Sequence, residues 1–215
     1  MKYSTVIFDM DGTILNTLDD LHDSVNYALE KMGYPLRSLD EIRSFVGNGV
    51  EALIKRSVPQ GTNEKEREQC HGFFREHYSV NMNNKTRPYE GIIDLIKGLR
   101  QRGLKTAVVS NKSEYAVIEL CGQTFPDLFD VIVGQTKDKR PKPAPDGVFY
   151  ALDKLGVEKS ETVYVGDSDV DVQTAVNSGL DCIGVTWGFR DREVLEKEGA
   201  KYIIDKPEEM FDIIR

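Results

Sequence analysis

Short apolar runs rich in β-branched residues recur along the chain: TVIFD at 5–9, TAVVS at 106–110, VIVG at 131–134, TVYVGD at 162–167, CIGVT at 182–186 and YIID at 202–205. Most are nearly continuous in apolar character instead of alternating with polar positions. Strands covered on both faces read this way, as in a parallel sheet flanked by helices. The segments between them carry helical spacing. In 89–102, Ile92, Ile93, Leu95, Ile96 and Leu99 form a wide apolar stripe, and Gly103 supplies a stop. In 143–156, Pro143 and Pro145 suit a helix start, Val148, Phe149, Leu152 and Leu155 line one face, and Gly156 ends it. This alternation predicts an α/β fold built on a doubly wound, Rossmann-like parallel sheet.

The alternation breaks between residues 15 and 87, where no convincing strand is found. Leu18, Leu21, Val25, Leu29 and Met32 give an amphipathic helix, and VEALIKRSV and NEKEREQCHGFFREHYSV predict further ones. The polar run NMNNKTRPY at 81–89 reads as a linker back into the α/β part. The expected organisation is a core of residues 1–14 and 88–215 with a helical domain, 15–87, inserted just after the first strand. His22, His71 and His77 fall in the insert without metal-ligand spacing and read as structural or solvated.

Composition narrows the partners. Apolar residues at 40% and charged residues at 30% suit a globular chain, not a disordered one. A formal net charge of −8 argues against a nucleic-acid backbone as main ligand, yet leaves room for a small anion met by local positive charge. Cys70, Cys121 and Cys182 are scattered, without a CxxC pair, and read as reduced thiols. No apolar run is long enough for a membrane span and no basic-then-apolar leader precedes Asp9, so a cytoplasmic protein with no membrane partner is expected.

The chemistry lies at the strand ends. In open α/β sheets ligands bind outside the carboxyl ends of the strands. The first strand ends there in Asp9 and Asp11, followed by Gly12. The second leaves Ser110 and Asn111, and VYVGDSDVD leaves Asp167, with Asp169 and Asp171 just beyond. RPKPAPD places Lys142 in a loop before a helix. Asp-Gly at a strand end is also a common turn, but the companion groups favour a site. Several carboxylates at one point repel unless a cation sits among them, and hard oxygen ligands suit Mg²⁺. A lysine adds a point charge suited to a phosphoryl group. Asp169 reads as a solvated turn residue or cap, and Trp187 as packing beside the site.

DMDGT, SN after a strand, a lysine in KPxP and GDSxxD, in this order, resemble the haloacid dehalogenase superfamily of phosphatases along essentially the whole chain. The resemblance implies that Asp9 is a nucleophile forming an aspartyl phosphate and that Asp11 is the general acid/base. It implies that Ser110 binds a phosphoryl oxygen, with Asn111 and Gly12 beside it, and that Lys142 pairs with nucleophile and phosphate. Mg²⁺ would be held by Asp9, Asp167 and the Asp11 backbone carbonyl, with Asp171 behind them. The insert is similar to the family's mobile cap. FVGNG in the insert and PYEGI at the return resemble phosphoglycolate phosphatases, and imply a substrate-specificity role for Arg43, Gly47 or Asn48. The expected partner is a small phosphorylated metabolite, and the expected assembly a monomer or homodimer. An inorganic pyrophosphatase, a phosphosugar mutase and a catalytically idle phosphate-ligand binder stay open as alternatives. A dehalogenase is disfavoured, because those relatives work without the second aspartate that Asp11 supplies.

Overall fold

A computed structural model describes residues 2–214. In chain order the strands and helices are β1 (Thr5–Phe8), β2 (Leu15–Asn16), α1 (Leu18–Lys31), α2 (Leu39–Phe45), α3 (Val50–Ser57), α4 (Glu64–Asn81) and β3 (Arg87–Pro88). There follow α5 (Ile92–Gln101), β4 (Lys105–Ser113), α6 (Glu114–Thr124), β5 (Val131–Gln135), α7 (Asp146–Leu155), β6 (Thr162–Gly166), α8 (Asp169–Ser178), β7 (Asp181–Val185), α9 (Arg192–Glu198), β8 (Tyr202–Ile204) and α10 (Met210–Ile213).

Six strands form one parallel sheet in the order β5-β4-β1-β6-β7-β8. Renumbered among themselves they run 3-2-1-4-5-6, the doubly wound order whose direction reverses between β1 and β6. Because successive side chains on a strand point to opposite faces, Val6 and Phe8 enter one apolar cluster and Ile7 the other. The first cluster runs on without a gap into Val25, Leu29, Leu53 and Phe74 of the inserted helices. No helix among the described residues is long and apolar enough to cross a membrane.

The helical stretch begins and ends differently from the sequence-based expectation. The reading of 15–87 as strand-free and 81–89 as a linker is corrected by a short antiparallel ribbon, Leu15 paired with Pro88 and Asn16 with Arg87. Two paired residues are too few to leave a pattern in the sequence, and proline at an edge position argues against a strand. The ribbon brings entry and exit of the helical stretch side by side. Asp20 of α1 reinforces it by accepting from the backbone N–H groups of Lys85 and Thr86 and from the Thr86 hydroxyl.

Candidate active site

The reversal between β1 and β6 leaves a crevice outside their carboxyl ends, and the backbone there is drawn tight. Asp9 donates its N–H to the Val165 carbonyl at 2.9 Å, continuing β1 alongside β6. The Met10 carbonyl then accepts from Thr13, Ile14 and Leu15 at 3.0–3.2 Å, folding residues 10–15 into a compact loop. Gly12 stands in that loop at φ +86°, and a Cβ there would lie 2.3 Å from Asp167 Oδ2. A Cβ on Gly188 would lie 2.3 Å from the Asp167 Cβ. These two positions accept glycine because the Asp167 carboxylate fills the space beside them.

Asp9, Asp167 and Asp171, all buried, each bring a carboxylate oxygen within 4.8 Å of the others. Lys142 Nζ lies 2.8 Å from Asp9 Oδ1 and 2.7 Å from Asp171 Oδ1, and donates to the Tyr164 hydroxyl at 3.0 Å. Burial and the Asp171 charge push the Asp9 carboxyl well above the usual carboxylate range, although Lys142 pulls the other way. Asp167 is pushed up to about 7 by burial and by Asp171, against the opposing N–H of Phe189. Burial works against the Lys142 ammonium, but Asp171 and Asp9 outweigh it and leave its pKa raised.

The donor set suits a divalent cation. Three carboxylates face one contacting ammonium, and Asp9 Oδ1 is buried without a well-formed hydrogen bond. Asp171 is the most fully engaged of the three: Lys142 holds Oδ1, while Ser168 N–H and Oγ donate to Oδ2 at 3.1 and 2.6 Å. Asp167 accepts from Thr13 Oγ1 at 3.2 Å and Phe189 N–H at 2.7 Å. Asp9 and Asp167 therefore retain the capacity to bind an ion.

The Asp11 carboxylate stands apart from this triad. Thr17 Oγ1 donates to Oδ1 at 2.7 Å, and Lys112 Nζ reaches Oδ1 at 2.8 Å and Oδ2 at 3.0 Å. The Lys112 side chain is 4% exposed, and its ammonium lies 5.0 Å from the ring centroid of Tyr78 on α4. Burial disfavours that ammonium, but the neighbouring Asp11 and Tyr78 outweigh it, so its pKa is raised. Burial pushes the Tyr78 hydroxyl up to about 12. Lys112 was missed from sequence because a lysine at a strand end looks solvated. The available signal was its spacing, two residues beyond Ser110 on one strand.

Both Asp9 and Asp11 line a cavity of about 380 Å³ whose other wall is contributed by the inserted helices, through residues such as Leu53, Phe74 and Tyr78. Ser110, Lys142 and Asp167 line it as well, whereas Gly12 and Asp171 lie behind its wall. Asn111, expected beside phosphate, lines the cavity too, and its side-chain amide is engaged by the protein. Its amide nitrogen donates to the Gly47 and Lys142 carbonyls at 3.0 Å each, and its oxygen accepts the Lys142 N–H at 2.7 Å. It fixes the lysine backbone and ties it to the helical stretch.

Arg43 turns to the core, donating to the Phe189 and Gly188 carbonyls at 2.9 and 3.1 Å. Arg190 returns the contact on the Arg43 and Val46 carbonyls at 2.9 and 2.6 Å. Asn48 lines the cavity, but its Oδ1 accepts from Arg56 at 2.7 Å. Among the histidines, His71 lines the cavity, a placement its spacing did not reveal, and burial and Arg75 hold its pKa low. His77 stacks on Tyr27 at 4.4 Å and His22 meets the Arg37 carbonyl, as structural residues would. Trp187 donates to the Thr13 carbonyl at 3.0 Å and so packs on the Asp9–Asn16 loop. Asp169 lies 3.5 Å from Arg190 Nε.

Residues 6–185 match the family model of haloacid dehalogenase-like hydrolases. A phosphoglycolate phosphatase of Pseudomonas putida is 31% identical over 206 residues, covering 93% of this chain and 75% of that protein. A phosphoglycolate phosphatase of Mesorhizobium japonicum is 33% identical over 211 residues, covering 94% and 91%. Among solved structures, one from Lactobacillus delbrueckii subsp. bulgaricus, whose assignment as a phosphoglycolate phosphatase is itself an inference, superposes with a TM-score of 0.94. It is 39% identical, over 100% of this chain and 99% of that one.

Proposed function

The chain belongs to the haloacid dehalogenase-like hydrolase family and is a phosphatase, and from that premise we propose Mg²⁺-dependent hydrolysis of a small phosphomonoester, with phosphoglycolate as the foremost candidate. Residues 1–14 and 88–215 would serve as core domain and 15–87 as the cap that closes over the site. The observation that carries the reading is Lys142 in contact with Asp9 in the wall of a cavity between sheet edge and inserted helices, with Asp167 alongside. An idle binder would not require a carboxylate exposed to the cavity and held by a buried lysine.

In the proposed mechanism an Asp9 oxygen attacks phosphorus, and the ester P–O bond breaks. The leaving oxygen takes a proton from Asp11, which lines the same cavity. Water then attacks the aspartyl phosphate and gives its proton to the Asp11 carboxylate, so that the P–O bond to Asp9 breaks and inorganic phosphate leaves. Lys142 and the Ser110 hydroxyl would meet the charge on the phosphoryl oxygens. Asp9, Asp167 and the Asp11 carbonyl would hold Mg²⁺, which when bound neutralises phosphoryl charge. The cap would exclude water during transfer.

The test is phosphate release from phosphoglycolate, pyrophosphate, sugar phosphates and nucleotides, with Mg²⁺ or EDTA, beside Asp9→Asn. The expected result is one dominant monoester whose turnover both EDTA and the substitution abolish, the latter by at least about 10⁴-fold. Dominance of pyrophosphate would move the assignment to a pyrophosphatase. Phosphate release surviving in Asp9→Asn would overturn the covalent mechanism.

A further inference from the structure

Three elements converge on the Asp11 carboxylate: Thr17 at the start of α1, Lys112 on β4 and, behind the lysine, Tyr78 on α4. Lys112 holds both carboxylate oxygens, at 2.8 and 3.0 Å, and its own N–H is anchored on Ser110 Oγ at 3.3 Å. Its ammonium is distinct from the one that serves the acid triad, since Lys142 is in contact with Asp9 and Asp171. The Tyr78 hydroxyl is buried without a well-formed hydrogen bond, and its ring centroid lies 5.0 Å from the ammonium, so Tyr78 covers the cation. The pair forms part of the cavity wall, where Asp11, Lys112 and Tyr78 all border the space beside Asp9.

We propose that Lys112, covered by Tyr78 from the cap, is a positioning residue that holds the Asp11 carboxylate in line with the water of the second half-reaction. The inference rests on the reading of Asp11 as the group that receives that water's proton. Water oxygen bonds to phosphorus, the bond between phosphorus and the Asp9 oxygen breaks, and the water proton goes to Asp11. With only Thr17 left to hold it, the carboxylate swings away from this line, and a displacement of about 1 Å costs on the order of 10²-fold in rate. Because Tyr78 belongs to α4, withdrawal of the cap would also loosen the carboxylate, so hydrolysis of the aspartyl phosphate would be fastest with the cap closed.

The experiment is rapid-quench kinetics with 4-nitrophenyl phosphate and Mg²⁺ on the wild-type protein and on Lys112→Met, Lys112→Arg and Tyr78→Leu. Lys112→Met is expected to lose 10- to 100-fold in kcat, to show a burst near one nitrophenolate per active site, and to accumulate phosphoenzyme while KM does not rise. Lys112→Arg should recover part of kcat, and Tyr78→Leu should move in the same direction as Lys112→Met by a smaller factor. If Lys112→Met does not fold, the arginine and Tyr78 variants carry the same comparison. A folded Lys112→Met within threefold of wild-type kcat, or a loss of kcat without phosphoenzyme, overturns the proposal. Acid-quenched wild-type protein and Asp9→Asn test the parent reading separately: absence of an aspartyl phosphate on Asp9 removes that reading, and the role of Lys112 falls with it.

Discussion

The carboxyl edge of the sheet and the seam beneath the inserted helices border one cavity, but different atoms hold them. At the edge, the ion pairs join side chain to side chain: Lys142 between Asp9 and Asp171, and Lys112 on Asp11. At the seam, side chains meet backbone. Arg43 and Arg190 cross between the inserted helices and the sheet on the carbonyls of residues 188, 189, 43 and 46, and Asn111 on that of 47. An edge contact fails when either residue type changes. A seam contact tolerates changes at its acceptor, since every residue offers a carbonyl, except where the space admits only glycine, as at Gly188. The edge is thus exacting in sequence, and the seam mainly in shape.

Substitution at the edge gives the largest effect. Lys142→Met leaves Asp9 and Asp171 buried without their ammonium, and should cost about 3–5 kcal/mol of stability in denaturant titrations as well as turnover. A midpoint within about 1 kcal/mol of wild type would show that the edge pair behaves like a surface contact.

Chelation with EDTA comes next, and its effect should depend on pH. Asp9 and Asp167 both titrate above their unfolded values, and for Asp167 this means that between about pH 4 and 7 the folded, ion-free chain binds more protons than the unfolded one. Stability contributed by these groups is fully present below the unfolded pKa and is lost as pH rises through the folded one. A shift from 3.8 to about 7 sets an upper figure of roughly 4 kcal/mol for Asp167. In EDTA the melting temperature should fall between pH 5 and pH 8, and Mg²⁺ should restore it at pH 8 with little effect at pH 5. Equal melting temperatures in EDTA at both values would refute this.

The seam should respond more mildly and in a different quantity. Arg190→Ala is expected to lower kcat/KM about tenfold with folding stability changed by no more than about 1.5 kcal/mol. Arg190→Lys should not rescue it, because one ammonium cannot reproduce the fork that reaches both Arg43 and Val46 carbonyls. Rescue by lysine would show that charge, not geometry, holds the seam. The smallest effect is expected at Asn48, whose oxygen is already engaged by Arg56. Asn48→Ala should leave the ranking of the substrate panel intact, and a reordered ranking would transfer specificity to this turn.

The same division explains what could be read from the chain. The parallel sheet was legible because buried strands demand continuous apolar runs, and Val6, Ile7 and Phe8 supply one with each side chain claimed by one face or the other. The acids stood out as charges where apolar strands end, and Lys142 through its RPKPAPD setting before a helix. The Leu15–Asn16 ribbon left no trace, being too short to show a period. The arginine contacts left none because their acceptors have no residue identity. Lys112 was hidden for another reason: its partner Asp11 lies 101 positions away, and only the fold shows that the two ends of β1 and β4 meet.

The pairing of β1 also bears on how the protein is made. Thr5–Phe8 pair with Lys105–Val108 on one side and Thr162–Val165 on the other, and with no strand nearer in sequence. The middle strand of the sheet is thus translated first and completed late. At 5–20 residues per second a ribosome needs roughly 8–30 s to pass from Phe8 to Val165. Until Val108 follows, each nascent chain carries a bare apolar TVIF segment with both edges unpaired, and until Val165 follows one edge stays bare, a ready substrate for chaperones and a hazard in crowded expression.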